Sequence, residues 1–498
     1  MPPSLRPALA HWRLGPLSLA VFGFACGASP HTHGPGRDCP EHPAEPDTGD
    51  DGAGGDDGPG SAAWTGLGSS AGAFTGAFSP DGGSLGLILP LGTREVTLTA
   101  DVTGGEVRFD GEVAPDNTWT TAVPLAGRRV QVTGPNGEAL QLSIQRGALS
   151  AVSGLPNGAA YGAALAAHGD AVALPAARAG LGGQVALLSD GASAPGPAVD
   201  GGGYAEAFGS AVALNAHFLA VGAPGADGGE GRVALYRREE GGALTFLQSL
   251  TPPTAGERAL FGYALAFQGE DTSPTLLIGA PGLDPAGRAA AGGVFLFQES
   301  EGSFLRAEIW QPPGLDAGER FGASLAVDGA DAVIGAPGGD AGGRVLRVSG
   351  GTPQGWLRPP QLAAGDSFGA ALHLSGGELL VGAPGADFSR LGEPAPNAGR
   401  VWLFEPSGAV SVYGLDGRTR ARFGSSIARA GGLIAIGAPA MDGRMGGVYV
   451  TDRTDGSGEL YPSAHVAAHA GAALAFTGET LWIGSPWATD TAPLSTLR

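Results

Sequence analysis

The stretch Phe208-Gly209-Ser210-Ala211-Val212-Ala213-Leu214 is followed, after a short turn, by Phe218-Leu219-Ala220-Val221-Gly222-Ala223-Pro224. The pattern recurs. Phe261-Gly262 leads to Ile278-Gly279-Ala280-Pro281, Phe321-Gly322 to Ile334-Gly335-Ala336-Pro337, Phe368-Gly369 to Val381-Gly382-Ala383-Pro384, and Phe423-Gly424 to Ile436-Gly437-Ala438-Pro439. Two worn copies flank them: Tyr161-Gly162 with Leu174-Pro175, and Ala470-Gly471 with Gly484-Ser485-Pro486. By subtraction the seven starts lie 47, 53, 60, 47, 55 and 47 residues apart. A unit of this size repeated along a chain signals a propeller or solenoid.

Each copy parses alike. A short apolar strand follows the aromatic-glycine pair, and a second apolar strand stops at Gly-Ala-Pro. Proline cannot donate to a sheet ladder, so it ends the strand. A third strand follows, as in Gly231-Arg232-Val233-Ala234-Leu235-Tyr236, and then a fourth, as in Leu244-Thr245-Phe246-Leu247-Gln248. Four antiparallel strands per unit, closed radially, make propeller blades with few open edges. The pattern resembles the FG-GAP repeat of integrin α-chain heads and their bacterial relatives, over residues 148–498. That resemblance implies a seven-bladed β-propeller, extracellular, serving as a binding scaffold. Phe208 and its equivalents are expected to pack between blades.

The last unit is short of chain. Only 12 residues follow Pro486, by subtraction from Arg498, and they supply one strand at Leu494 to Arg498. An open edge there would invite aggregation. The segment Ala148-Leu149-Ser150-Ala151-Val152, just ahead of the first unit, is placed to complete the seventh blade.

Ahead of the repeats, residues 64–147 carry alternating apolar positions at Val130/Val132 and Leu140/Leu142/Ile144. Such spacing predicts half-buried strands of a β-sandwich. The Phe78-Ser79-Pro80 opening and the Ser143-Ile144-Gln145-Arg146 close resemble a cadherin-like domain of bacterial surface proteins, although Leu85 stands where that family carries Tyr. Residues 26–63 are rich in Gly, Pro and Asp and hold too little apolar surface to fold. Residues 1–25 place Arg6 and Arg13 before an apolar run from Leu14 to Ala25, a signal-peptide pattern. Its end at Ala25-Cys26-Gly27 resembles a bacterial lipoprotein signal, which implies lipidation of Cys26 and an outer-membrane or secreted location; a cut after Gly27 is the rival.

Composition narrows the function. The chain of 498 residues holds 90 Gly and 39 Pro, only 15% charged residues, and a formal charge of −20. Phosphate-backbone binding needs a basic footprint, so no nucleic-acid partner is expected. Cys26 and Cys39 are the two cysteines, so no disulfide staples the repeats. His31, His33, Cys39 and His42 match no zinc spacing.

Gly68-Ser69-Ser70-Ala71-Gly72 has the letters of a nucleophile elbow, but reads as a Gly/Ser linker without the strand-to-helix setting. Integrin-type repeats carry calcium in an Asp-rich loop between strands one and two. Here none of those loops holds more than two carboxylates, against the 6–8 oxygens calcium takes. No metal or cofactor is therefore expected. The loops after Gly-Ala-Pro do keep a repeated acid: Asp227, Asp284, Asp340, Asp387 and Asp442. Turn chemistry accounts for them. The functional alternative is an acidic ring on one face, joined by Arg418, Arg420, Arg422 and Trp487, meeting a cationic or hydroxyl-rich ligand. The resulting expectation is a non-enzymatic surface protein that binds an extracellular protein or glycan. The alternatives are a propeller hydrolase acting on glycans and a purely structural envelope protein.

Overall fold

The computed structural model describes residues 62–152, 159–178, 182–189, 198–200, 206–239, 242–253, 258–388, 395–415, 417–463, 468–486 and 494–498. Cys26, Trp487, the proposed leader and all but the last two residues of the proposed linker lie outside them; Ala63, assigned to that linker, begins the first strand. The chain is all-β, with nine sheets among the described residues.

Two sheets form the N-terminal unit. Ala63–Ser69, Glu95–Thr103 and Thr118–Ala122 make one; the other is six-stranded and places Gly83–Leu89 parallel to Ala139–Arg146. The alternation works as expected. Val130, Val132, Leu140, Leu142 and Ile144 are buried against Trp64, Leu87, Leu98 and Phe109. Gly68-Ser69-Ser70-Ala71-Gly72 corrects the linker reading. Gly68 and Ser69 end the first strand, and Ser70 Oγ accepts from the Thr97 N–H at 2.9 Å. That hydroxyl is bound to the sheet, with no helix behind it.

Seven further sheets follow, one per repeat. The second begins Ala211–Leu214, Phe218–Ala223, Arg232–Arg238, Leu244–Leu250, in that spatial order. Burial within a sheet follows strand position. Phe218–Ala223 is buried throughout because neighbouring sheets cover both of its faces. The fourth strands are half-exposed, as at Ser303–Trp310, and they carry mixed polar sequences. In three of the sheets a register shift bulges the pairing of the third and fourth strands, at Leu235/Tyr236, Leu296/Phe297 and Arg347/Val348. Bulges of this kind twist an edge away from foreign strands. The repeat phenylalanines Phe261, Phe321, Phe368 and Phe423 are fully buried; Phe208 is only half-buried.

The glycines explain why the repeat is spelled as it is. From the second unit on, the N–H of the first glycine donates to the carbonyl of the glycine that ends the second strand, for example Gly262 to Gly279 at 3.1 Å and Gly424 to Gly437 at 2.9 Å; in the first unit Gly162 donates to Pro175 instead, at 3.2 Å. Between units the Gly-Ala-Pro glycine lies against the carbonyl of the next unit's first glycine. A Cβ on Gly222, Gly279, Gly335, Gly382 or Gly437 would sit less than 3.0 Å from the oxygen of Gly262, Gly322, Gly369, Gly424 or Gly471 respectively. The same relation joins Gly484 of the last unit to Gly162 of the first. First strands of successive sheets are in contact along the series, and Ala473–Thr477 of the last touches Ala166–His168 of the first.

The seventh sheet has the composition expected from strand counting. Leu149–Ala151 pairs antiparallel with Leu494–Leu497, outside Thr480–Gly484 and Ala473–Thr477. It directly follows Ala139–Arg146 of the N-terminal unit. The two parts also share core: Leu91 and Leu125 pack with Leu433, Val450, Leu481 and Leu497.

Candidate functional site

In a four-stranded meander the loops after the first and third strands share one end, and the loops after the second and fourth share the other. The acids singled out in the sequence all lie at the second of these ends, each in the loop of its own sheet. Asp284 Oδ1 accepts from the Ala290 N–H at 2.6 Å, and Asp387 Oδ1 from the Asn397 N–H at 2.9 Å. Asp442 is ion-paired to Arg418. Asp227 and Asp442 adopt left-handed backbone, with φ of 52° and 49°, a conformation that a short side chain bonding locally tolerates. Asp340 is exposed. Of these acids, Asp284, Asp387 and Asp442 thus spend their charge inside their own loops or on Arg418. Arg420 and Arg422 are exposed, and their N–H groups donate to Pro396 and Asn397 carbonyls, stitching the fifth sheet's long loop to the sixth unit. Trp487 and residues 389–394 lie outside the described residues.

The opposite end holds the N-terminal unit and the groups that sequence reasoning missed. Arg146, fully buried, donates to Asp452 Oδ2 at 2.8 Å, Asp455 Oδ2 at 3.1 Å and the Leu91 carbonyl at 2.9 Å. Arg94 adds a second cation to Asp452 at 2.7 Å. Burial alone would raise the Asp452 carboxyl, but hydrogen bonds from Arg94, Arg146 and the Thr454 N–H outweigh it and hold the group at about 2. Beside this joint, Glu378 receives both Arg429 and Arg453, and Arg453 reaches Glu405 at 2.6 Å. A polar cleft of about 540 Å³ opens at the same end, lined by Gln268, Glu270, Asp271, Ser273, Thr275 and Gln298. Its side chains are partly committed: Thr275 donates to Gln298 at 2.6 Å, and Asp271 faces His168 at 3.5 Å. Among the described residues no three His, Cys, Asp or Glu converge as a metal set.

His373, on the first strand Ala371–Ser375, is the most perturbed base. Its Nε2 is buried without a hydrogen-bond partner. Burial and then Arg429 lower its pKa to about 4, against an opposing pull from Asp328. The fold therefore favours the neutral ring. Stability from this group is complete above the unfolded value near 6.5, declines as pH falls from there to about 4, and is level below. The span corresponds to about 3 kcal/mol. Urea unfolding at pH 7.5 and pH 4 is expected to show the wild type losing roughly 2–3 kcal/mol more than His373→Phe. Equal losses in the two proteins would mean that His373 titrates normally.

No family model and no curated protein matches this chain.

Proposed function

We propose that residues 148–498 form a closed seven-bladed β-propeller of the FG-GAP kind, and that the protein is a secreted or lipid-anchored surface protein using it to bind an extracellular protein or glycan. One observation carries the closure. The glycine contact that links each unit from the second to the sixth to its successor recurs between Gly484 and Gly162, where the chain has run through all seven units. The strand Leu149–Ala151 then completes the last sheet. The cadherin-like unit serves as a rigid base, bolted through Arg94 and Arg146 at one end of the ring. That leaves the Gly-Ala-Pro loops at the other end to meet the ligand.

Binding rather than turnover is supported by how that end spends its acids. Asp284 and Asp387 are fastened in separate loops and Asp442 is neutralised by Arg418, so they do not form the facing carboxylate pair that glycoside hydrolysis uses. Probing glycan and envelope-protein arrays with the purified protein tests this reading. Retention of one ligand class, weakened by substitutions in the Gly-Ala-Pro loops, is the expected result. Retention that depends only on the N-terminal unit would overturn it.

Anchoring is tested separately. The apolar run ending at Cys26 predicts that Cys26→Ser moves the mature protein from the membrane fraction to the soluble one. A wild-type protein already lipid-free in the medium would contradict the anchor and leave secretion.

A further inference from the structure

The loop after the second strand has the same length and shares an Asp-Gly pair and a closing Gly in two units: Ala226-Asp227-Gly228-Gly229-Glu230-Gly231 and Met441-Asp442-Gly443-Arg444-Met445-Gly446. The backbones match as well. Asp227 and Asp442 have φ of 52° and 49°, and Gly228 and Gly443 have φ of 76° and 75°. Leu260 N–H donates to the Gly229 carbonyl at 2.9 Å, just as His469 N–H donates to the Arg444 carbonyl at 3.0 Å. Arg444 therefore stands where the sister loop has glycine, and it keeps the left-handed backbone that suits glycine, with φ of 77°. An unbranched cation gains nothing from that conformation; strain of this sort, when retained, points to use.

The position gathers charge of one sign. Arg422 occupies the left-handed position before Phe423, as His469 does before Ala470, with φ of 56° and 53°. Arg444 and Arg422 are both near enough to His469 that, after burial, their charges lower its pKa. Arg420 lies two residues before Arg422, also left-handed at 58°. Arg420, Arg422 and Arg444 are exposed, and among the described residues no acid lies within ion-pair distance of them. Two described acids of these loops are engaged elsewhere: Asp442 holds Arg418, and Asp387 is turned onto the Asn397 N–H. In a chain with 48 acidic and 28 basic residues, cations gathered in this way set up a local positive field that attracts an anion.

We propose that Arg422, Arg444 and His469, with Arg420 at the rim, form a binding site for an oxyanion: a carboxylate, sulfate or phosphate borne by the ligand. Arginine's planar fork suits all three groups. The proposal deepens the reading of the Gly-Ala-Pro loops as the ligand face and rests on it. Array binding through other loops would leave that reading intact while this site failed.

The test uses the mature protein and follows the His469 imidazole by NMR as pH is varied, with His469→Gln to assign the signal. Sodium sulfate, sodium phosphate and a short oligogalacturonate are the probes, each against sodium chloride at equal ionic strength. A bound oxyanion offsets the two arginines, so the His469 pKa is expected to rise by about one unit, a tenfold change in proton affinity. The best of the three probes identifies the oxyanion. Arg444→Gly restores the sister loop's residue; it is expected to raise the melting temperature and to abolish the probe-induced shift. Arg422→Gln should reduce the shift independently. A response no larger than that to chloride, or one that survives both substitutions, overturns the site.

Discussion

Arg146→Ala is expected to destabilise the protein by about 3–5 kcal/mol, the range seen when one partner of a buried ion pair is removed. Arg146 and Asp452 have no exposed side-chain surface, so deletion of the guanidinium strips Asp452 of one of its two cations and leaves the Leu91 and Val123 carbonyls without their donor. Arg94, with 39% of its side chain exposed, remains on Asp452 but lies in water on its far side. The loss should appear in urea unfolding at neutral pH and should be accompanied by faster proteolysis between the two parts of the chain. Arg146→Met combined with Asp452→Leu removes both charges together. It is expected to recover most of the loss, because the cost lies in the unpaired charge rather than in the absence of the pair. A single-variant loss below about 1 kcal/mol would mean that the joint is wet and Arg146 idle.

Gly279→Ala is expected to cost about 3 kcal/mol or more, beyond the usual range for overpacking, because the clash is with backbone and cannot be relieved by a rotamer change. The added carbon would lie less than 3.0 Å from the Gly322 carbonyl oxygen, across the seam between two sheets. Gly382→Ala meets the Gly424 carbonyl in the same way and should behave alike. Gly68→Ala, also in a strand, finds its nearest neighbour at 3.7 Å and should change stability by no more than about 0.5 kcal/mol. Thermal unfolding of the three variants side by side separates the seam from a general intolerance of alanine. Equal, small effects at all three positions would remove the glycine contact as the reason for the repeat.

That contact is why so much of the fold could be read from the sequence. From the second unit on, Gly279 and its equivalents are held by a steric requirement that glycine meets, so the letters persist while the strands between them vary; the worn first unit has Pro175 in that place. The clasp at Leu149–Ala151 was legible by counting strands, since Leu494–Leu497 alone leaves the last sheet one strand short. The joint was not read, because Arg146 and Asp452 lie 306 residues apart. A signal existed nonetheless. Arg146 continues the inward series Leu140, Leu142, Ile144, and a cation at an inward position demands a buried partner. Residues 63–69 were hidden by their small, glycine-rich composition, although Trp64 anchors them in the core. At the candidate site the recurring acids stood out because the turn repeats. Of the cations around His469, Arg420 and Arg422 were named from the sequence but Arg444 was not, since only superposing one unit on another shows that it has replaced a glycine.

The proposed ring is held shut by strands from both ends of the repeats. Ser150 and Thr496 are direct partners across the closing pair, and the flanking bonds from Ala148 N–H to the Arg498 carbonyl and from Val152 N–H to the Leu494 carbonyl, both 3.0 Å, make theirs a hydrogen-bonded position. Such a position sets the Cα atoms about 5.5 Å apart, within the disulfide range. Ser150→Cys with Thr496→Cys, in a protein whose Cys26 and Cys39 are serine, should therefore oxidise to a single internal disulfide, identified by peptide mapping, and should melt at a higher temperature oxidised than reduced. If the two thiols stay unlinked under oxidising conditions while the protein remains folded, Leu149–Ala151 does not lie beside Leu494–Leu497, and the ring does not close as described.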